Sequence, residues 1–237
     1  MTLIRSALYF IGVTPLTIFF SLISILILPL PRRLRYLVVI QWSRCALWWL
    51  KLTCGLSHQV TGAENIPAEA GVIFCKHQSA WETMSMQFIF PPHAQVLKRE
   101  LFWIPFFGWG LASLNPIAID RSAGSKAMRQ VLRQGQERVE TGWWILLFPE
   151  GTRTAPGMKG TYSPSAAALA KRANCPLVPV AHNAGEYWSR NAFAKRSGVI
   201  QVVIGKPIEL DGKSAAEITA EGEAWVEDTC DKLPKYT

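Results

Sequence analysis

No C-x-x-C pair occurs in this chain. Its five cysteines, Cys45, Cys54, Cys75, Cys175 and Cys230, are odd in number and irregularly spaced. That argues against a zinc site and a disulfide framework and points to a reducing compartment. There is no internal repeat and no low-complexity segment. Acidic residues are the scarcer sign: 17 Asp and Glu face 25 Lys and Arg, a net charge of +8. A basic chain with ten Trp suits an anionic membrane or a nucleic acid. No RNA- or DNA-binding motif is present, and the basic residues cluster beside an apolar segment, so nucleic acid is set aside as a partner. At 237 residues, one sizeable α/β core and an appendage fit, but not two full domains and an anchor.

The longest absence is of charge. From Ser6 to Pro31 no residue is charged; Arg5 precedes the run, and Arg32, Arg33 and Arg35 follow it. About 25 helical residues reach ~37 Å, more than a hydrocarbon core of about 30 Å. Pro15 removes a helix hydrogen bond, and Pro29 and Pro31 close the far end, so Leu16–Leu28 alone would cover only ~20 Å. A span and a bent, re-entrant insertion both stay open. A cleaved signal peptide lacks a small-residue cleavage site after Leu30. Residues 36–54 read as a second helix, either interfacial, with Trp42, Trp48 and Trp49 at headgroup level, or part of the core. Residues 1–54 are thus expected to be a two-helix membrane anchor and 55–237 the globular domain. The positive-inside bias turns that domain to the cytoplasm, at a cell membrane, the inner membrane of a bacterium.

Beyond residue 58 short β-rich runs alternate with helical ones. Strands are expected at His58–Thr61, Gly71–Cys75, Ala94–Lys98, Pro116–Asp120, Trp144–Phe148, Leu177–Ala181 and Val199–Ile204. Helices are expected at Ser79–Ile89, Ser122–Glu140, Pro164–Arg172 and Ala215–Lys232. The pattern predicts an α/β fold, a mixed, largely parallel sheet covered by helices and preceded by the hydrophobic anchor.

Two blocks carry chemistry. In Lys76-His77-Gln78-Ser79-Ala80-Trp81-Glu82, an apolar strand becomes a helix, where α/β folds place their sites. A carboxylate one turn beyond a His can hold its tautomer and stabilise the imidazolium. Equally, Ser79-x-x-Glu82 is a capping box. The second block is Phe148-Pro149-Glu150-Gly151-Thr152-Arg153. Gly151 permits close approach of backbone to a ligand, Arg153 suits bidentate phosphate contact, and Glu150 could pair with Arg153 or serve a structural salt bridge. Between them, Leu101–Ile119 is uncharged over nineteen residues, but Pro105, Gly108, Gly110 and Pro116 argue against a straight span. An apolar wall for an acyl chain fits better. Cys75 reads as strand core, His182 as a core or supporting histidine, and His58 and His93 carry no pattern.

These blocks, together with Ile104-Pro105-Phe106-Phe107-Gly108-Trp109 and the strand at Pro176–Asn183, resemble the 1-acylglycerol-3-phosphate (lysophosphatidic acid) acyltransferase family over roughly residues 60–205. That family carries Asp where this chain has Glu82. The resemblance implies His77 as catalytic base and Glu82 as its orienting acid. It places Glu150, Gly151, Thr152 and Arg153 in the acceptor-binding turn, with Lys98 and Arg121 as further basic positions. The acyl chain would lie along Phe102, Ile104, Phe106, Phe107 and Trp109. It implies transfer from acyl-CoA or acyl-carrier protein to the sn-2 hydroxyl of 1-acyl-sn-glycerol-3-phosphate, giving phosphatidic acid, with no metal or resident cofactor. The partners are then the bilayer, the lysophospholipid and the acyl donor. Rival readings are another acceptor, glycerol-3-phosphate or a lyso-amino-lipid, and a non-catalytic lipid-binding protein.

Overall fold

The computed structural model describes residues 1–236, apart from the side chain of Arg121. All seven expected strands form: β1 (Leu56–Thr61), β2 (Val72–Cys75), β3 (His93–Lys98), β4 (Ile117–Ile119), β5 (Trp144–Leu147), β6 (Leu177–His182) and β7 (Gly198–Ile204). They make one sheet in the order β1-β7-β6-β2-β5-β3-β4. From β6 to β4 every pairing is parallel; β7 runs antiparallel to β6, and β1 is parallel to β7. The sheet is mixed and largely parallel, as the sequence implied.

The central strands β2 and β5 are buried along their whole length, which is why they read as unbroken apolar runs. Period-2 geometry divides their side chains between two cores. Ile73, Cys75, Trp144 and Leu146 join one core. Val72, Phe74, Ile145 and Leu147 join the other, against α5 (Ser125–Glu140), α6 (Ser165–Ala173) and α8 (Ala215–Lys232). Gly135 of α5 lets α6 approach, since a Cβ there would meet Leu169 at 2.6 Å. Ser214 and Glu217 form a complete capping box that starts α8.

The first core is roofed by α2 (Arg32–Cys54) and α3 (Trp81–Ile89), with α1 (Thr2–Leu26) beside them. The two readings of α2 prove compatible. One face buries Tyr36, Val39, Ile40, Ala46, Leu47 and Leu50, and the other exposes Leu34, Leu37, Trp48 and Leu52. Helix α1 is inverted relative to a soluble helix. It buries Ser6, Ser21 and Ser24 and exposes Leu3, Ile4, Leu8, Ile11, Ile18, Phe19, Leu22 and Leu26. Its length and composition suffice to cross a membrane. Pro15 does not break it, so the helix is continuous from Thr2 to Leu26. Ser and Thr hydroxyls bond back to carbonyls one turn earlier, at 2.6–2.8 Å, the kind of support that lets apolar helices carry a proline.

Two short helices were not expected. These are α4 (Phe107–Ala112) and α7 (Ala184–Tyr187). Gly108, Gly110 and Pro105 hid the first of them, because breakers outweigh propensity in so short a window.

Candidate active site

The parallel strands β2, β3, β4, β5 and β6 all end at one edge of the sheet, and both chemical blocks lie there. After β2, the chain turns through Lys76–Ala80 into α3. Glu82, in the first turn of α3, is fully buried. Its Oε1 accepts three hydrogen bonds: from His77 Nδ1 at 2.8 Å, and from the amides of Gln78 and Ser79 at 2.9 and 2.8 Å. Glu82 therefore makes both contacts at once, the bond to the Ser79 amide that a capping box has and the bond to the His77 ring. The box is only half formed, because Ser79 Oγ accepts from the Trp81 amide instead. Burial opposes the charge on Glu82. His182, His77 and the Ser79 amide outweigh it and hold the carboxyl below its ordinary range.

A charged Glu82 fixes the proton of His77 on Nδ1 and leaves Nε2 as a bare lone pair. The imidazole stacks on Phe148, with centroids 3.9 Å apart and planes at 13°. Behind it, His182 donates from Nε2 to the Lys76 carbonyl at 2.9 Å and accepts the Ala184 amide on Nδ1 at 3.2 Å. Both nitrogens are satisfied by the neutral ring, and burial pushes its pKa down. Cys75 is buried strand core, with its thiol pushed well up by burial, so it is no nucleophile.

After β5, the Glu150–Arg153 turn packs against the His77 turn. Glu150 does not pair with Arg153. Its side chain is buried, and Oε1 accepts Lys76 Nζ at 2.8 Å and Thr154 Oγ1 at 2.8 Å, while Oε2 accepts the His77 amide at 2.8 Å. Lys76 also pairs with Glu227 of α8 at 2.7 Å. Burial opposes the Lys76 ammonium, and the two carboxylates outweigh it, raising its pKa. Glu150 is thus a buried strut of the histidine turn, not a substrate contact. The Thr154 amide bonds the His77 carbonyl at 2.8 Å, which sets Arg153 one residue from the histidine. Arg153 makes no ion pair among the described residues, and it lines the cavity described below. Gly151 has φ 65°, which favours glycine, and Thr152 is exposed.

Lys98 and the residue-121 backbone share the same sheet edge, but β3 and β4 lie two and three strands from β2, ~10 and ~14 Å away at the usual strand spacing. Lys98 is exposed. The Arg121 side chain lies outside the described residues.

An apolar cavity of about 250 Å³ opens beside the site. Its walls come from α1 (Tyr9, Val13, Phe20), α2 (Trp42), α3 (Met84) and α4 (Phe107, Leu111), with Ala80 of the His77 turn and Arg153 also lining it. Of the five expected acyl-chain residues only Phe107 lines it. Phe102 faces a different, polar cavity, and Ile104 and Trp109 are exposed, with Phe106 packed against Trp109. The reason is helical: Phe107, Gly110, Leu111 and Leu114 face inward at i, i+3, i+4 and i+7, so their neighbours point away. That spacing was the available signal for α4. The roles of Lys76, Phe148 and α1 also escaped sequence reasoning. A lysine ending an all-apolar strand was the one clue that a buried counter-charge was waiting.

Residues 57–183 match the family model described as Acyltransferase. A 1-acyl-sn-glycerol-3-phosphate acyltransferase of Pseudomonas aeruginosa is 45% identical over 95% of this chain and 90% of its own length. The chain belongs to that family. A 1-acyl-sn-glycerol-3-phosphate acyltransferase of Saccharomyces cerevisiae is 32% identical over 75% of this chain and 61% of its own length. The fold matches the crystal structure of a 1-acyl-sn-glycerophosphate acyltransferase from Thermotoga maritima, with a TM-score of 0.82 at 20% identity, covering 100% of this chain and 98% of that one. Within this acyltransferase the histidine, the carboxylate and the unpaired arginine converge on one sheet edge beside an apolar cavity.

Proposed function

We propose that this chain transfers a fatty acyl group from acyl-CoA or acyl-carrier protein to the sn-2 hydroxyl of 1-acyl-sn-glycerol-3-phosphate, giving phosphatidic acid. The observation that carries the reading is the His77–Glu82 bond of 2.8 Å set beside Arg153 and the apolar cavity. His77 Nε2 takes the hydroxyl proton as that oxygen attacks the thioester carbonyl. The C–S bond breaks, and the leaving thiolate takes the proton back from the imidazolium. Glu82 stabilises the imidazolium in a dry setting, where such charge pairing is strongest. Arg153 offers a planar fork to the acceptor phosphate, and the cavity takes an acyl chain. The step uses a base and an activated thioester, and asks for no resident cofactor or metal.

Membrane placement follows from α1 and α2. Their outer faces form a broad apolar surface, extended by the exposed Trp103, Ile104 and Trp109. The inner face of α1 stays docked on the globular part: Ser6 Oγ accepts the Lys195 amide at 2.8 Å, and Trp42 Nε1 donates to Thr17 at 2.9 Å. A helix docked this way inserts into one leaflet rather than crossing, and Arg32, Arg33 and Arg35 turn the protein to the cytoplasmic leaflet. In this reading residues 1–54 serve as the anchor and 55–237 as the catalytic domain, with α2 also roofing the core.

The test is an acyl-transfer assay on purified protein, with lysophosphatidic acid, glycerol-3-phosphate and a lyso-amino-lipid as acceptors and both donor types. Phosphatidic acid from lysophosphatidic acid is the expected main product. A preference for either other acceptor would overturn the assignment.

A further inference from the structure

A second cavity, of about 390 Å³, lies at the β4 side of the sheet, three strands from the β2 strand that leads to His77. It sits between the start of α2 and the turn that joins α4 to β4. Arg32, Arg35, Ser113, Asn115, Gln130 and Gln134 supply its polar lining, and no acidic residue does. The arginines around it fall into two groups. Arg33 donates to the Thr141 carbonyl at 3.2 Å, and Arg138 donates to the carbonyls of Asn115, Gln134 and Pro116 at 3.0–3.2 Å. The guanidinium groups of Arg32 and Arg35 donate to no group among the described residues, and Arg35 Nε is buried without a partner.

Buried donors are almost always satisfied, and like charges crowded together without an acid call for an anion. Burial and the charge of Arg32 both push Arg138 down, which reports that crowding. Glu137 offsets it only in part and spends itself on Arg133 at 3.3 Å, on the exposed face of α5. Next to Arg32 and Arg35 in the sequence, Leu28, Leu30, Leu34 and Leu37 are exposed, and they are where lipid chains would run. A guanidinium pair with neighbouring hydroxyl and amide groups is the chemistry that recognises a phosphate.

We propose that this cavity binds the phosphate headgroup of an anionic phospholipid, held by Arg32 and Arg35, with its chains lying along the exposed leucines. The site is separate from the acceptor turn at Arg153. It draws on the membrane placement argued above, but it is testable in micelles, so its failure is distinguishable from failure of that placement.

Full-length protein in detergent micelles would be titrated with dioctanoyl phosphatidylglycerol, dioctanoyl phosphatidylcholine and inorganic phosphate, with binding read by native mass spectrometry. One phosphatidylglycerol should bind at least about tenfold more tightly than phosphatidylcholine, since charge-assisted bonds are the strong ones. Arg32→Gln/Arg35→Gln should lose that preference, whereas Arg44→Gln/Lys51→Gln, elsewhere on α2, should keep it. The wild-type comparison stands whatever the variants do. Equal binding of the two lipids would overturn the proposal. So would full affinity in the Arg32/Arg35 variant, or an equal loss in the Arg44/Lys51 variant. Inorganic phosphate binding as tightly as the lipid would assign the cavity to a free anion instead.

Discussion

Replacing Glu82 by Gln keeps the size of a side chain whose hydrogen bonds all go to the His77–Ser79 turn. Oε1 accepts three donors and Oε2 accepts none, so the glutamine oxygen must take the place of Oε1. The amide NH2 then occupies the buried Oε2 position, 3.9 Å from His182 Nε2, whose proton is already given to the Lys76 carbonyl. An unsatisfied buried donor costs about 1–3 kcal/mol, a tolerable loss for the fold. The catalytic loss is larger. A full negative charge about 4 Å from the imidazolium is worth roughly 4 kcal/mol at an effective dielectric of 20, and general base catalysis contributes about 10²–10⁴. Turnover should fall by about two to three orders of magnitude, with the circular dichroism spectrum unchanged. The assay is steady-state acylation of lysophosphatidic acid by the folded variant. Glu82→Asp keeps the charge but retracts it from three donors, and should lie between Gln and wild type. A Glu82→Gln enzyme within threefold of wild type would show that the carboxylate only caps α3.

Arg153→Lys keeps the charge and loses the planar fork, so the KM for the lyso-acceptor should rise while that for the donor stays put; a change confined to the donor would move this arginine to the other substrate. Lys76→Met strands Glu150 and Glu227, and breaking a buried pair costs about 3–5 kcal/mol, so the melting temperature should drop by about 10 °C on a thermal scan. Because folded Glu82 titrates below its unfolded value, its stabilising share is present above about pH 4.3 and is lost as pH falls through the lower folded value; the stability gap between wild type and Glu82→Gln should close over that window in denaturant titrations. Washing membranes with high salt should leave the protein bound, because the apolar outer faces of α1 and α2 dominate over about 1 kcal/mol per basic residue, and quantitative release would count against leaflet insertion.

The strands were legible because each is a run of apolar residues bounded by turn formers, and the parallel centre is buried on both faces. The His77–Glu82 pair was legible because both members lie within one turn. What stayed hidden was long-range. Lys76 meets Glu150 from 74 residues away and Glu227 from 151 residues away, and no local spacing encodes those meetings. Glu150 consequently read as either a partner for Arg153 or a structural salt bridge, and the second holds with a partner no spacing had named, Lys76. Of the five residues expected to wall an acyl chain, only Phe107 meets the apolar cavity, because α4 was read as a broken segment and α1 as anchor only. Tyr9, Val13 and Phe20 make α1 a wall of the site as well.

The most direct test of the mechanism is the turnover of His77→Ala on lysophosphatidic acid, measured on folded protein with a saturating acyl donor. A loss of about three orders of magnitude or more is expected if Nε2 of His77 is the base that receives the acceptor proton, as proposed. A variant that keeps a tenth or more of wild-type turnover would contradict it.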